Sequence, residues 1–168
     1  MQLDLLVPEP FPTSSALQEA LDEILAAPWP AWFECWFERL QADLPPASAY
    51  ELSLCPVDDP QIQSLNDRYR QQNRPTDVLA FAALESNIPH SAEMPLYLGE
   101  IIISIETAQR QAQAQQHSLV TEFGWLATHG LLHLLGWDHP DESHLKEMLH
   151  QQAILLTDVG LQAPILSI

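Results

Sequence analysis

An apolar stretch that contains two histidines limits the fold more than any other part of this sequence. It spans residues 125–135 and reads Trp-Leu-Ala-Thr-His-Gly-Leu-Leu-His-Leu-Leu. A helix that is apolar on nearly every side is buried in a protein rather than lying on its surface. We therefore predict a buried helix that the rest of the chain surrounds. Its polar side chains are Thr128, His129 and His133.

The spacing of the histidines in and after this helix predicts a metal site. His129 and His133 are four positions apart, so on a helix they lie on one face with Cβ atoms about 5–6 Å apart. Gly136 allows the helix to end in a left-handed conformation, and the chain can then bring His139 back toward the same point. Three imidazoles leave a fourth position open for water, which is the pattern of a catalytic zinc ion. Imidazole also suits nickel, copper and iron.

The alternative is that these are unrelated histidines, since the chain has seven among 168 residues. However, two imidazoles in an apolar helix each need a polar partner, and one metal ion supplies both. We therefore predict that His129, His133 and His139 bind one Zn2+ together with a water molecule. The remaining histidines have no such spacing and are predicted to lie on the surface: His90, His117, His144 and His150.

The residue after the first predicted ligand bears on the reaction. The histidine spacing matches the metzincin peptidase pattern His-Glu-x-x-His-x-x-Gly-x-x-His, but Gly130 stands where those peptidases have their general base. Peptide hydrolysis is therefore disfavoured, and either no protein base is needed or another residue supplies one. Asp138, next to a predicted ligand, either orients an imidazole or forms an Asx turn, and we leave it out of the predicted site.

Four motifs together resemble those of the YbeY family of bacterial endoribonucleases. Residues 129–139 read His-Gly-x-Leu-His-Leu-x-Gly-x-Asp-His, and residues 66–70 read Asn-x-x-Tyr-Arg. Residues 75–81 read Pro-Thr-Asp-Val-Leu-x-Phe, and residues 98–100 read Leu-Gly-Glu. Ala82 follows the third motif where the family usually has proline, a departure that concerns loop geometry rather than chemistry.

The resemblance covers almost the whole chain and is clearer from Leu65 onward. It implies a metzincin-like fold and a single-strand-specific endoribonuclease that acts in ribosomal RNA maturation and ribosome quality control. The expected partners are single-stranded or ribosomal RNA and the ribosome or proteins that assemble its small subunit. The resemblance also implies that Arg70, which ends the Tyr-Arg element, is needed for activity.

The distribution of charge suggests where a polyanion could bind. The net charge of −17 argues against a general nucleic-acid binder, but Arg68, Arg70 and Arg74 fall close together and an acidic body would repel RNA elsewhere. A guanidinium can pair with the oxygens of a phosphodiester as negative charge builds on them. We predict that Arg70 is catalytic and that Arg68 and Arg74 bind substrate. The alternative is a solvated helix end, where the helix dipole favours cations.

The order of the periodic segments predicts an α+β fold. The order is strand, helix, helix, strand, helix, strand, strand, helix, helix, helix, which suggests a small mixed sheet of four strands covered by helices. The metzincin-like zinc site would lie on the buried helix. A length of 168 residues suits one domain, so we expect residues 1–168 to form a single YbeY-like metallohydrolase domain. The order of the strands in the sheet is left open.

The sequence also favours a cytoplasmic protein. The N-terminal residues do not resemble a signal peptide, and no apolar run approaches the roughly 18 residues of a membrane span. Cys35 and Cys55 lack the spacing of a metal or redox pair, so buried free thiols in a reducing compartment are expected.

A rival function is a non-catalytic ribosome-assembly factor in which zinc ties the helix to the loop after it. The acidic body fits this interpretation, because a partner with basic surfaces would bind such a face. Removing a structural zinc would then unfold the protein, whereas removing a catalytic zinc would only abolish its activity.

Overall fold

The structure is a computed structural model that describes residues 2–8, 14–83 and 91–164. The strands within these ranges are β1 (Leu3–Leu6), β2 (Ala49–Val57), β3 (Val78–Ala82) and β4 (Pro95–Ser104). The α-helices are α1 (Ser15–Leu25), α2 (Trp29–Arg39), α3 (Asp59–Arg70), α4 (Ile105–Gln115), α5 (Leu119–Leu134) and α6 (Glu142–Asp158), and a short 3-10 helix covers Gln41–Asp43. The predicted α+β class is confirmed. His90 lies outside the described residues.

The strands form a mixed sheet in the order β1-β2-β4-β3. The first three are parallel, and β3 runs antiparallel to β4 at the edge. The β2–β4 pairing has a bulge at Leu98, next to Gly99, whose φ is +137°. A Cβ at Gly99 would lie 2.1 Å from the carbonyl oxygen of Phe81 on β3. Only glycine therefore allows β3 and β4 to approach each other this closely.

Helix α5 fills the centre of the molecule, as its apolar sequence predicts. Twelve of its sixteen residues are buried, and it packs against β3 and β4 on one side and against α1, α4 and α6 on the others. A Cβ at Gly130 would lie only 2.6 Å from Cγ2 of the fully buried Ile101 on β4. The helix and the strand are therefore too close for a glutamate side chain to occupy the position of the peptidase base.

Helix α3 begins with a capping box. The Asp58 carboxylate accepts a hydrogen bond from the backbone N–H of Gln61 at 2.9 Å, and the Gln61 side chain accepts one from the N–H of Asp58 at 3.2 Å. The side chain of Tyr69, near the end of α3, is 55% exposed. The last turn of α3 extends beyond the small cluster that the helix covers, and the Tyr69 ring packs edge-on against Phe81 at 5.2 Å.

One of the predicted surface histidines is instead part of the interior. The ring of His117 hydrogen-bonds the carboxylate of Glu122, which is only 3% exposed in the first turn of α5. The turn between α4 and α5 places His117 over that carboxylate, and burial raises the pKa of Glu122 even though His117 opposes the shift. His144 and His150 are exposed, as predicted.

Cys35 and Cys55 are free thiols, as predicted, although both are half-buried rather than fully enclosed. Burial raises the pKa of the Cys55 thiol to about 11, with the charge of Glu100 adding to the shift. A thiol with so high a pKa is protonated and unreactive at neutral pH. None of the helices in the described part of the chain is long and apolar enough to cross a membrane.

Candidate metal centre

Helix α5 places the first two predicted ligands against each other. His129 and His133 lie one turn apart, with ring centroids separated by 4.5 Å and ring planes at 77°. Their Nε2 atoms are 3.0 Å apart. Two imidazoles can therefore present nitrogen atoms to a single point in front of the helix.

The turn after α5 returns the third histidine to that point. The N–H of Gly136 (φ +93°) donates to the carbonyl of His133, and the N–H of Trp137 donates to that of Leu132, both at 3.0 Å. These two bonds form a Schellman motif, in which glycine readily adopts the left-handed conformation. The ring of His139 then lies 5.9 Å from that of His129 and 5.4 Å from that of His133.

Asp138 helps to form this turn. Its Oδ1 accepts a hydrogen bond from the backbone N–H of His139 at 2.8 Å. Within the described residues, no hydrogen bond joins the Asp138 carboxylate to an imidazole. Of the two roles considered for Asp138, the geometry therefore supports the Asx turn.

The three histidines fit a metal ion. Their ligand atoms all lie within 4.8 Å of one another, whereas a tetrahedral zinc ion with bonds of about 2.0–2.1 Å holds its ligands about 3.3 Å apart. His139 is exposed and belongs to a loop, so a small movement of its side chain closes the difference. The donor set of neutral nitrogens suits zinc and several other transition metals.

The electrostatics of the site also favour metal binding. Burial lowers the pKa of His129 and that of His133, the latter to about 4, and the neighbouring imidazoles act in the same direction. Both rings are therefore neutral at neutral pH. A neutral imidazole has a lone pair available, so a metal does not have to displace a proton.

Gln152 on α6 is a contact of this site that the sequence did not reveal. Its Oε1 is 3.1 Å from Nδ1 of His129, and its Nε2 donates to the carbonyl of Trp125 at 3.2 Å. A signal was present, because Gln152 lies at helical spacing from Met148, Leu155 and Leu156, the other buried residues of α6. A polar residue in an apolar stripe points to a buried partner.

The histidines open onto a cleft of about 400 Å3. Besides the three histidines, the side chains that line it come from the end of α3, from β3 and its approach, and from α5 and the loop after it: Arg70, Asp77, Val78, Ala80, Ala82, Gly130 and Asp138. Arg70 thus shares the cleft with the predicted ligands. Arg68 and Arg74 are not among the lining residues.

The three clustered arginines differ from the other cations of the chain. Arg39, Arg110 and Lys146 each pair with a carboxylate. Within residues 2–8, 14–83 and 91–164, no such pair involves Arg68, Arg70 or Arg74. Arg68 lies over the Tyr69 ring at 5.8 Å, and Arg74 donates to the Gln72 side chain at 2.7 Å. Arg70 has neither a hydrogen bond nor an ion pair among those residues.

Asp77 is a second lining residue to which the sequence assigned no role. Its Oδ1 accepts from the N–H of Val78 at 2.8 Å, and its Oδ2 accepts from the side chain of Gln111 at 3.2 Å. Its charge opposes the lowering of the His129 pKa. Asp77 belongs to the Pro-Thr-Asp-Val-Leu-x-Phe motif, and this motif was the signal in the sequence that could have indicated a place for Asp77 in the site.

The fold and the site define an α+β protein in which three histidines that could hold a metal ion line an open cleft. Residues 16–160 match the family described as "Endoribonuclease YbeY". The chain belongs to this YbeY endoribonuclease family, a family of hydrolases that act on RNA, and the resemblance seen in its motifs is confirmed.

Two relatives and a solved structure show the extent of the match. The chain is 58% identical over 143 residues to "Endoribonuclease YbeY" of Trichormus variabilis, which covers 83% of this chain and 81% of that protein. It is 54% identical over 170 residues to the protein with this name from a Cyanothece species, which covers 99% and 98% respectively. The solution structure of the Thermotoga maritima protein TM1509 is similar, with a TM-score of 0.54, 23% identity and coverage of 94% and 89%. At that identity the solved structure supports the fold alone.

Proposed function

We propose that this protein is a zinc-dependent endoribonuclease that cleaves single-stranded RNA. Membership of the YbeY endoribonuclease family supports the reaction class. The observation that carries the proposal for this chain is the shared cleft: an arginine without a partner among the described residues faces three convergent histidines. The arginine suits a phosphate, and the three histidines suit a metal ion that activates water.

His129, His133 and His139 would hold the ion. When bound, zinc lowers the pKa of a coordinated water molecule to about 7 and so supplies a nucleophile at neutral pH. Gly130 contributes no base, because the contact of α5 with Ile101 leaves no room for a side chain there. The chain's own part in the reaction is therefore to hold three imidazoles in place and to position the phosphate.

Arg70 is the proposed catalytic side chain. Cleavage of a phosphodiester builds negative charge on the non-bridging oxygens, and a guanidinium can donate two hydrogen bonds to that charge. Among the described residues, no carboxylate pairs with Arg70 that an arriving RNA would have to displace. Arg68 and Arg74, which lie outside the cleft lining, would bind flanking phosphates and stabilise the complex more weakly.

Ribosomal RNA maturation and ribosome quality control are the proposed setting, with small-subunit assembly proteins as partners, and the cytoplasm as the location. The family motifs support this setting. The net charge of −17 supports it too, because acidic faces that repel RNA suit basic proteins, and the free thiols fit a reducing compartment. We also propose that residues 1–168 act as one domain, since a common core includes residues from α1, α2, α4, α5, α6, β2 and β4.

The test is cleavage of a labelled single-stranded RNA by zinc-loaded protein, beside a His133→Ala variant purified identically and a duplex of the same sequence. Cleavage of the single strand by the first protein alone supports the proposal. Equal cleavage by both proteins would reveal a contaminant. No cleavage by either, with zinc bound to the unsubstituted protein, would refute the enzyme and favour the non-catalytic assembly factor. In that case a chelator should unfold the protein.

A further inference from the structure

We propose that Gln152 is a positioning residue of the metal centre, which holds His129 in the tautomer whose Nε2 can bind the metal. The inference rests on the proposed three-histidine site. It concerns how α6, which begins after His139, orients His129 on α5. No part of it requires RNA to be the substrate.

The orientation of the Gln152 amide follows from its two contacts. The carbonyl of Trp125, 3.2 Å away, can only accept a hydrogen bond, so the NH2 group of Gln152 must face it. The amide oxygen then faces Nδ1 of His129 at 3.1 Å. An amide oxygen can only accept, and therefore Nδ1 of His129 must carry a proton.

The remaining nitrogen of His129 is then free for a metal. An imidazole that binds a metal is neutral and has a single N–H. With the proton on Nδ1, the lone pair is on Nε2. That atom faces Nε2 of His133 at 3.0 Å, on the side where His139 arrives.

The surroundings of Gln152 keep this arrangement in place. The side chain is 1% exposed, so water cannot replace either contact. Rotating the amide would place the NH2 group of Gln152 against the Nδ1–H of His129, so that two donors face each other. It would also place the amide oxygen against the carbonyl of Trp125, so that two acceptors face each other. An unpaired polar group is costly in an apolar environment, so one orientation is favoured. Partners of this kind fix the ring orientation of histidine ligands, and their loss weakens metal binding.

Two substitutions separate the positioning role from simple packing. Gln152→Met keeps the length of the side chain but removes the acceptor, while Gln152→Glu keeps an acceptor for His129. Both lose the hydrogen bond to Trp125, so each controls for the other in fold stability. We expect Gln152→Met to weaken zinc binding about 10–100-fold, and Gln152→Glu to bind zinc about as tightly as the unsubstituted protein. The measurement is zinc competition with a chromophoric chelator, with the visible spectrum of bound Co2+ as a second readout.

Unchanged zinc affinity in Gln152→Met would overturn the proposal, and so would equal weakening in both variants, which would indicate a packing role. Should a variant fail to fold, nitrogen-15 NMR of the histidine rings decides the matter in the unsubstituted, zinc-loaded protein. The proposal expects a proton on Nδ1 of His129 and metal on Nε2, and metal on Nδ1 would refute it. A protein that binds zinc in this way but leaves RNA intact would refute the proposed function and not this inference.

Discussion

The two sides of the cleft are built in different ways. His129 and His133 project from a helix that the core encloses, and Gln152 contacts the first of them from α6. Arg70 projects from the exposed end of α3 and has no hydrogen bond or ion pair among the described residues. The imidazoles are thus arranged before any ligand arrives, whereas the guanidinium is left without a counter-charge.

The difference follows from what each side would bind. A metal ion requires ligand atoms within a few tenths of an ångström of fixed distances, and packing supplies that accuracy. A flexible RNA strand can adjust to an exposed arginine, and a carboxylate beside Arg70 would compete with the phosphate. Substitutions on the metal side and on the arginine side should therefore impair different properties of the protein.

The largest effect is expected on the arginine side. Arg70→Ala should lower kcat by about 100- to 1,000-fold, the cost of removing one donor to a developing oxyanion, while zinc content stays unchanged. Arg68→Ala is the matched control, since Arg68 lies two residues away and does not line the cleft. Single-turnover cleavage and zinc analysis of both variants provide the measurement. Equal losses in the two variants would remove the distinction between catalytic and binding arginines.

The next effect concerns pH and the buried imidazoles. The pKa of His133 is about 4 in the folded protein and about 6.5 in an unfolded chain. Between these values the unfolded state binds more protons, so the free energy of unfolding falls as pH falls. For the metal-free protein the loss should approach about 3 kcal/mol between pH of about 7 and about 4.

Urea unfolding at several pH values measures this loss. A His133→Gln variant, which cannot titrate at that position, should lose less stability over the same range. Arg70→Ala should follow the unsubstituted protein, because it leaves the buried imidazoles in place. Parallel curves for all three proteins would show that the buried histidine does not control the acid sensitivity.

A smaller effect tests the close packing behind the metal centre. Gly130→Ala places a Cβ 2.6 Å from Ile101 Cγ2. Overpacking costs about 1–3 kcal/mol and alanine recovers about 1 kcal/mol of helix propensity, so we expect a net loss of up to about 2 kcal/mol. Gly124→Ala is the control in the same helix, because the nearest atom there is the end of the Leu161 side chain at 3.1 Å.

Denaturant midpoints of the two variants give the comparison. Combining Gly130→Ala with Ile101→Ala should cost less than the sum of the single changes, since the second removes the atom that the first contacts. Strict additivity would mean that the space in front of Gly130 is not what excludes a side chain there.

The same contrast explains what the sequence could predict. The burial of α5 and the convergence of His129, His133 and His139 follow from offsets within one short segment, where local geometry decides the outcome. Gln152 contacts His129 from α6, and Asp77 lines the cleft from the approach to β3. No local spacing connects either residue with the histidines. The strand order β1-β2-β4-β3 likewise depends on contacts between distant segments. His117 has no periodic pattern, and its position is set by the turn that follows α4.

The smallest effect belongs to the exposed arginines. If Arg68, Arg70 and Arg74 each contact a phosphate, the logarithm of the affinity for single-stranded RNA should fall with the logarithm of the salt concentration. The expected slope is about −2, or about −0.7 for each contact. Arg74→Ala should reduce the slope by about 0.7 and weaken binding equally for all sequences. Binding titrations of metal-free protein, which should not cleave the RNA, measure the slope. A slope near zero would mean that these arginines do not contact the backbone, and only the metal side of the cleft would remain as the binding site.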